Sequence, residues 1–348
     1  MIKRVSYGPA GYLEVGEMFP HLPTYSWFTG GRGIGKTYGF LDYLRYEQPT
    51  TFLLLRRTKT QFDLLKKAQF NPFNPIDRDR GECTAVVAKR DTATFYRGEP
   101  DGEGHILPTG TPLGYALALS TMHNVRGIDL SDVDVVVYDE FIPEPHERPI
   151  AHEYMALLNA LETIGRNREL QGRPPLRFVG LSNANRIDNP YYMGMGVARD
   201  VARMMEEGRE VCNIPNRGLC LVHIQHSPIS ALKAQTSLYK FAGDGEFASM
   251  SLDNEFVGAV CNNQANPPMV ELVPLCQVGE VYVYRYKNRQ GYHACAKRSG
   301  SPAYYAPEDT RLKRFRVEYY WLAAMIIQNR VSYDDSVTEL LLKKYLDI

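Results

Sequence analysis

What the chain lacks narrows its class before any motif is read. Its 348 residues carry 40 Lys and Arg against 40 Asp and Glu, a formal net charge of +0. No global field announces a polyanionic partner, so any nucleic-acid surface must come from local segregation of charge. No apolar run is long enough to span a bilayer, and the opening MIKRVSYGPAGYLEVGEMF lacks the uninterrupted apolar core of a secretory leader. Membrane insertion and secretion are therefore not expected. The six cysteines, Cys83, Cys212, Cys220, Cys261, Cys276 and Cys295, are scattered with no C-x-x-C pair. That favours free thiols in a reducing cytoplasm over a disulfide frame or a zinc site. No internal repeat is visible. With 44% hydrophobic residues, the composition suits a soluble enzyme of more than one domain.

What is present begins with GGRGIGKT, Gly30 to Thr37. It fits G-x-x-x-x-G-K-[ST] at every required position. Tyr25-Ser26-Trp27-Phe28-Thr29 before it reads as a buried strand, and YGFLDYLRYE after it as a helix. Gly30, Gly31, Gly33 and Gly35, with Arg32 and Ile34 between them, let successive backbone N–H groups turn onto phosphate oxygens where a Cβ would interfere. Lys36 is expected to reach the β- and γ-phosphates, and the Thr37 hydroxyl to ligate magnesium. Arg32 either contacts phosphate in its own subunit or is solvated.

The second half of such a site follows at Val133-Asp134-Val135-Val136-Val137-Tyr138-Asp139-Glu140. An apolar run ending in two carboxylates is how a buried parallel strand brings charge to the carboxyl edge of a sheet. Asp139 is expected to hold the metal and Glu140 to act as general base on the attacking water. Further apolar runs at Thr51–Leu55, Thr84–Ala88, Tyr115–Ser120 and Leu176–Ser182 suit parallel strands, and Arg97–His105 suits a hairpin or exposed loop. The order predicts an α/β P-loop domain over residues 1–228, with extra strands between the phosphate-loop strand and the acidic strand. That is the additional-strand catalytic-glutamate (ASCE) type, closed by a helix at Tyr191–Met205 and a strand at Leu219–Ile224. Residues 229–260 read as a linker element. Residues 261–348, with a strand at Val281–Tyr286 and helical patterns at Arg311–Gln328 and Asp335–Leu346, read as a smaller α+β domain.

WFTGGRGIGKTYGF, VVVYDEFIPE, TIGRNREL, LSNANRIDNPYY and MSLDNEFVG, in that order, resemble the DNA-packaging ATPases of small tailed phages with protein-primed linear genomes. The resemblance is strong across Trp27–Tyr192, moderate around Met250–Gly258 and weak beyond. It implies ATP and Mg2+ as cofactors. It further implies a homo-oligomeric ring, a pentamer, on the portal of an empty capsid in the host cytoplasm, threading double-stranded DNA, with a structural RNA as a further candidate partner. Arg166 in GRNRE then matches an arginine finger inserted into a neighbour's site. The residues alone favour a different reading, in which Arg166 and Arg168 form the solvated basic end of the helix through ALLNALETI. Asn183 fits a sensor of the γ-phosphate or a cap. Arg126 matches a basic position acting across the interface.

Arg56, Arg57 and Lys59 follow the strand Thr51–Leu55, where they either meet DNA phosphate or an adjacent nucleotide or form a solvated rim. In terminases, larger relatives, the last domain is a metal-dependent nuclease, which needs several carboxylates converging from strand ends. Val281–Tyr286 carries none, so a degenerate RNase H-like domain without nuclease chemistry is expected. Arg285, Lys287, Arg311, Lys313, Arg314 and Arg316, interleaved with tyrosines, suit phosphate contact or a solvated face. A helicase or other P-loop nucleic-acid ATPase, or a nucleotide-timed assembly switch, remains the alternative.

Overall fold

The computed structural model describes residues 1–103, 105–125, 127–143, 147, 150–183, 186–242, 261 and 263–348. The chain divides into two compact units. In the first, the strands are β1 (Tyr25–Gly30), β2 (Phe52–Arg56), β3 (Thr84–Ala88), β4 (Ala93–Pro100), β5 (Ile106–Ala118), β6 (Val135–Asp139), β7 (Arg177–Ser182), β8 (Val211–Ile214) and β9 (Leu219–Ile224). Among the described residues they form one sheet in the order β3-β4-β5-β2-β6-β7-β1-β9-β8. From β5 through β9 all neighbours are parallel, while β3, β4 and β5 make an antiparallel meander and β8 pairs antiparallel with β9.

The central strands read as continuous apolar runs because both faces are covered. All of VVVYD in β6 and all of LCLVHI in β9 are buried. Phe28 on β1 meets Phe40 of the helix Lys36–Asp42 at a ring separation of 5.2 Å. On β1 too, Trp27 lies 4.7 Å from Phe178 of β7 and 4.7 Å from Phe141. That indole fits because its partner in register is Gly180: a Cβ there would come within 2.7 Å of the ring. Phe52, Phe73 and Phe95 form another aromatic group. The first-unit core is thus pinned across β1, β6 and β7, the strands that carry the phosphate loop and the acidic pair.

One local feature departs from the sequence reading and one agrees with it. Thr84–Ala88 is antiparallel to β4 rather than parallel, because the eight-residue β4 follows it after a short turn. The interval Arg97–His105 is the end of β4 and the turn into β5, a 13-residue strand whose first half is mostly exposed. One strand, β7, separates β1 from β6.

The second unit comprises residues 151–154, 186–203 and the chain from 261 on. The segment 186–203, read from sequence as part of the helix closing the first domain, is grouped here, whereas 204–242 stays with the first unit. Its strands β10 (Leu272–Val278), β11 (Val281–Tyr286), β12 (Tyr292–Cys295), β13 (Ala303–Tyr305) and β14 (Val331–Tyr333) form a sheet in the order β13-β10-β11-β12-β14. The middle three are antiparallel and the two edges parallel. The pattern Arg311–Gln328 is two helices, Asp309–Glu318 and Tyr320–Ile327, broken at Tyr319 with φ −118°. Asp335 caps the last helix, Ser336–Leu346, by accepting from Thr338 N at 2.7 Å, and is itself held by Arg199 at 2.8 Å. That satisfies one of the donors a helix start leaves open. The predicted linker falls mainly outside the described residues, as do Arg126 and the SLDN segment.

Candidate functional site

The loop from Gly30 to Thr37 emerges from the carboxyl end of β1 and feeds the helix Lys36–Asp42. Gly33 and Gly35 have φ of +70° and +88°, conformations that side chains rarely adopt, so these two positions require glycine. At Gly30 a Cβ would come 2.9 Å from Ile224 Cβ on the neighbouring strand. Ile34 is buried, and its carbonyl accepts from Leu13 N at 3.0 Å, fastening the loop to the N-terminal segment.

Lys36 is 5% exposed, and its Nζ donates to the carbonyls of Gly30 and Gly31, each at 2.8 Å. Burial pushes its pKa down to about 7; the Asp139 charge opposes this and the nearby Lys233 and Arg32 charges reinforce it. The ammonium is therefore folded back on the loop, in a place where a phosphate oxygen would be a stronger, charge-assisted acceptor than a carbonyl.

β6 brings Asp139 alongside. Thr37 Oγ1 donates to Asp139 Oδ1 at 3.0 Å, and Arg56, last residue of β2 and in register with Asp139, donates to Oδ2 at 2.8 Å. The same Arg56 Nη1 lies 3.6 Å from a Glu140 carboxylate oxygen. Glu140 has φ +56°, unusual for a residue other than glycine. Glu140 N donates to Asp139 Oδ1 at 3.1 Å. This left-handed turn directly after the strand points the chain away from extended geometry at the point where the second carboxylate leaves the sheet. Asn183 follows β7, whose Ser182 pairs in register with Thr29 of β1 and whose Leu181 pairs with Asp139. Asn183 therefore sits on the strand end between the phosphate loop and the acidic pair.

The remaining candidates are distributed differently from the sequence expectation. Arg57 is fully buried and its Nη1 lies 3.4 Å from Glu147, so in this conformation it offers nothing to a DNA phosphate. Arg57 directly follows the interior strand β2, and its guanidinium is directed to Glu147 while that of Arg56 is directed to Asp139. Lys59 is engaged by Asp63 at 2.8 Å and by the Arg90 carbonyl at 2.5 Å. Arg166, at φ +45°, ends the helix Glu153–Gly165; its side chain is half exposed and Nη2 donates to the Ile128 carbonyl at 3.2 Å. Arg168 is not solvated: it is 5% exposed, donates to the Val133 carbonyl at 2.5 Å and pairs with Asp134. The two arginines of GRNRE thus separate into an exposed one and a structural one. Arg32 is exposed on the loop.

In the second unit Arg285, Lys287, Arg311, Lys313 and Arg314 are exposed. Arg314 is paired with Glu318 at 2.6 Å. Arg316 is different, donating to the Tyr345 carbonyl at 2.7 Å at the end of the last helix, a C-terminal capping interaction. Glu280 accepts from Ala198 N at 3.2 Å, and burial raises its pKa. Among the described residues, no group of three or more His, Cys, Asp or Glu is placed to hold a metal ion. No helix among them is long and apolar enough to cross a membrane.

Sequence reasoning missed the N-terminal segment. A cavity of about 630 Å³ adjoins the loop and is lined by Tyr12–Gly16, Gly33, Gly35, Tyr38, Asp42, Glu47 and Asp79, among others. Its carboxylates come from three separate stretches, so no local motif betrays them. Burial and the Asp42 and Glu14 charges raise the Glu47 pKa, while burial and a 2.8 Å bond to Asp79 push the Tyr38 pKa up to about 12.

Comparison with known proteins agrees with this geometry. The chain is 28% identical over 265 residues to the DNA packaging protein of Bacillus phage phi29, covering 74% of this chain and 68% of that one, and equally similar to that of Bacillus phage PZA. In fold it is similar to the phi29 viral genome packaging motor assembly, with TM-score 0.59 and 20% identity over 96% of this chain and 99% of that one. It is also similar to the phi28 gp11 DNA packaging motor, with TM-score 0.60 and 17% identity over 97% and 98%. Residues 12–264 match the family described as podovirus DNA encapsidation protein (Gp16), and the chain belongs to that family.

Proposed function

We propose that this protein is an ATP-hydrolysing motor that drives double-stranded DNA into a preformed capsid, acting as a homo-oligomeric ring, a pentamer, docked on the portal in the host cytoplasm. The observation that carries the chemistry is the 3.0 Å meeting of Thr37 and Asp139 at the carboxyl ends of β1 and β6. An all-oxygen pair beside a phosphate loop suits magnesium, which prefers a few protein oxygens completed by water and phosphate. When bound there with ATP, the metal would neutralise charge on the phosphates.

The chain's own residues do the rest. The loop N–H groups bind phosphate, and Lys36 exchanges two carbonyls for phosphate oxygens. Glu140 takes the proton of the attacking water at its carboxylate. Asn183 reads loss of the γ-phosphate. Arg166, half exposed, completes a neighbouring subunit's site. The acidic lining of the adjoining cavity would repel a triphosphate and suits the base and ribose end, whose N–H and O–H groups donate to carboxylates. The single strand β7 between β1 and β6 supports the ASCE assignment. The second unit, with no strand-borne carboxylates on β11, is read as a degenerate RNase H-like domain that does not cut DNA. Its exposed cations are read as gripping DNA, the portal or a structural RNA without reading bases.

The test is ATP turnover of the purified chain, free and assembled on procapsids, with and without duplex DNA. Turnover should require assembly and rise with DNA. Glu140→Gln should retain ATP while turnover falls by about 10² or more. Turnover indifferent to both DNA and assembly would favour a nucleotide-timed switch.

A further inference from the structure

A second lysine reaches the phosphate loop from outside the motif. The helix Pro228–Ala234 follows β9, and Lys233 in its last turn extends its Nζ to the carbonyl of Arg32. Gly33 lies directly beneath: a Cβ built there would stand 3.0 Å from Lys233 Nζ and 3.1 Å from its Cε. The lysine tip therefore covers the crown of the loop, on the side of Gly33 that a side chain would otherwise fill.

The helix is held in place for this approach. Its N-terminal end abuts the N-terminal segment, where a Cβ at Gly11 would meet Ile229 N and Pro228 Cβ, each at 3.1 Å. Just before the helix, the single Tyr7 hydroxyl proton is shared between the His226 carbonyl and the Glu210 carboxylate, each 3.3 Å from Oη. Lys233 thus projects from an anchored turn. Burial lowers its pKa, and its charge in turn depresses Lys36. Three basic side chains, Lys36, Arg32 and Lys233, converge on one loop; Asp139 and Glu140 are the acidic groups that face Lys36. Such an arrangement favours a polyanion over any neutral ligand. A phosphate oxygen is also a stronger acceptor for an ammonium than the neutral Arg32 carbonyl.

We propose that Lys233 is a second phosphate-binding lysine of the same subunit, its Nζ exchanging the Arg32 carbonyl for a phosphate of the bound nucleotide. This exchange makes the helix Pro228–Ala234 responsive to whether nucleotide is bound at the loop. This rests on the nucleotide-phosphate reading of Gly30–Thr37.

The experiment measures binding of ATP, ADP and adenosine to the full chain and to Lys233→Ala, Lys233→Arg and Lys36→Ala by displacement of a fluorescent ATP analogue, with melting of each nucleotide-free protein recorded alongside. Lys233→Ala should bind ATP and ADP about tenfold more weakly, the effect of removing one charge-assisted hydrogen bond, with adenosine unchanged and most of the affinity recovered in Lys233→Arg. In the wild type, ATP but not adenosine should shield the Lys233 amine from acetylation, read by mass spectrometry. Wild-type affinity in Lys233→Ala, equal weakening for adenosine, or acetylation indifferent to ATP would overturn the proposal. Failure of the underlying reading is separable, because then the wild type would not bind ATP or Lys36→Ala would bind it unchanged.

Discussion

Arg56 Nη1 lies 2.8 Å from one oxygen of Asp139, whose other oxygen accepts from Thr37. A guanidinium thus stands on one side of the carboxylate and the hydroxyl expected at the metal on the other. Both members of the ion pair are largely buried, at 17% and 8% side-chain exposure. Removing the cation leaves two adjacent carboxylates, Asp139 and Glu140, short of positive charge. Breaking such a pair costs about 1–3 kcal/mol after allowance for partial exposure. Arg56→Ala should melt several degrees below the wild type without nucleotide, and magnesium with ATP should restore much of the difference. Equal melting of the two nucleotide-free proteins would show that Arg56 does not balance this site.

Lys36 makes nucleotide binding sensitive to pH. With its pKa pushed to about 7 by burial, the lysine is mostly neutral at pH 8 in the nucleotide-free protein, and phosphate beside it favours the charged form. Binding at pH 8 should therefore take up a proton, and affinity should fall as pH rises above about 7. For the nucleotide-free protein the sign is opposite in sense. The unfolded lysine keeps its proton up to about 10.4, so this group's contribution to stability grows from pH 7 towards that value. Calorimetric titration of ATP in buffers of different ionisation heat checks the uptake; proton release, or no exchange, at pH 8 would contradict it.

The separation of Arg166 from Arg168 gives a prediction in two arms. Arg168, buried against Val133 and Asp134, should cost stability when truncated, since Asp134 and a carbonyl lose their donor. Arg166→Ala should fold normally, bind ATP and hydrolyse it slower by about 10³ in assembled rings. Mixed with Glu140→Gln it should regain turnover, because a Glu140→Gln neighbour lends its intact Arg166 to the site of an Arg166→Ala subunit, which keeps Glu140. Mixed rings no more active than either variant alone would remove the action in trans.

The phosphate loop, the acidic pair and their strands were legible because each is local: a glycine spacing, an apolar run, a terminal carboxylate pair. Arg57 was not legible as a buried residue. Its neighbours Arg56 and Lys59 are also basic, and only the fold shows which of the three meets Glu147, Asp139 or Asp63. Lys233 lies 201 residues from Arg32, whose carbonyl it meets, inside a stretch of mixed composition that read as linker. The cavity beside the loop draws on Tyr12–Gly16, whose sequence has no phosphate signature at all. The split of 186–203 from 204–242 was hidden for a related reason. The helical pattern across Tyr191–Met205 is apolar along much of its length, and periodicity alone does not say which core it serves.

The second unit separates charges that serve the fold from charges available to a partner. Arg316 holds the end of the last helix through the Tyr345 carbonyl, so its replacement by Glu should destabilise the unit and confuse any binding result. Arg311 and Lys313 are exposed, and Arg314 engages the exposed Glu318. A triple replacement of Arg311, Lys313 and Arg314 by Glu should therefore leave melting nearly unchanged while weakening DNA binding. Because the attraction arises from release of counterions, the deficit should shrink as salt rises, with the salt slope reduced by about one for each phosphate no longer neutralised. Incubating the wild type with duplex DNA and magnesium or manganese should yield no nicks, since β11 presents no carboxylate to hold metal against a scissile phosphate. Metal-dependent nicking abolished by Glu280→Gln would make the second unit a working nuclease. Binding by the triple variant that matches the wild type at low salt would move the DNA grip elsewhere on the chain.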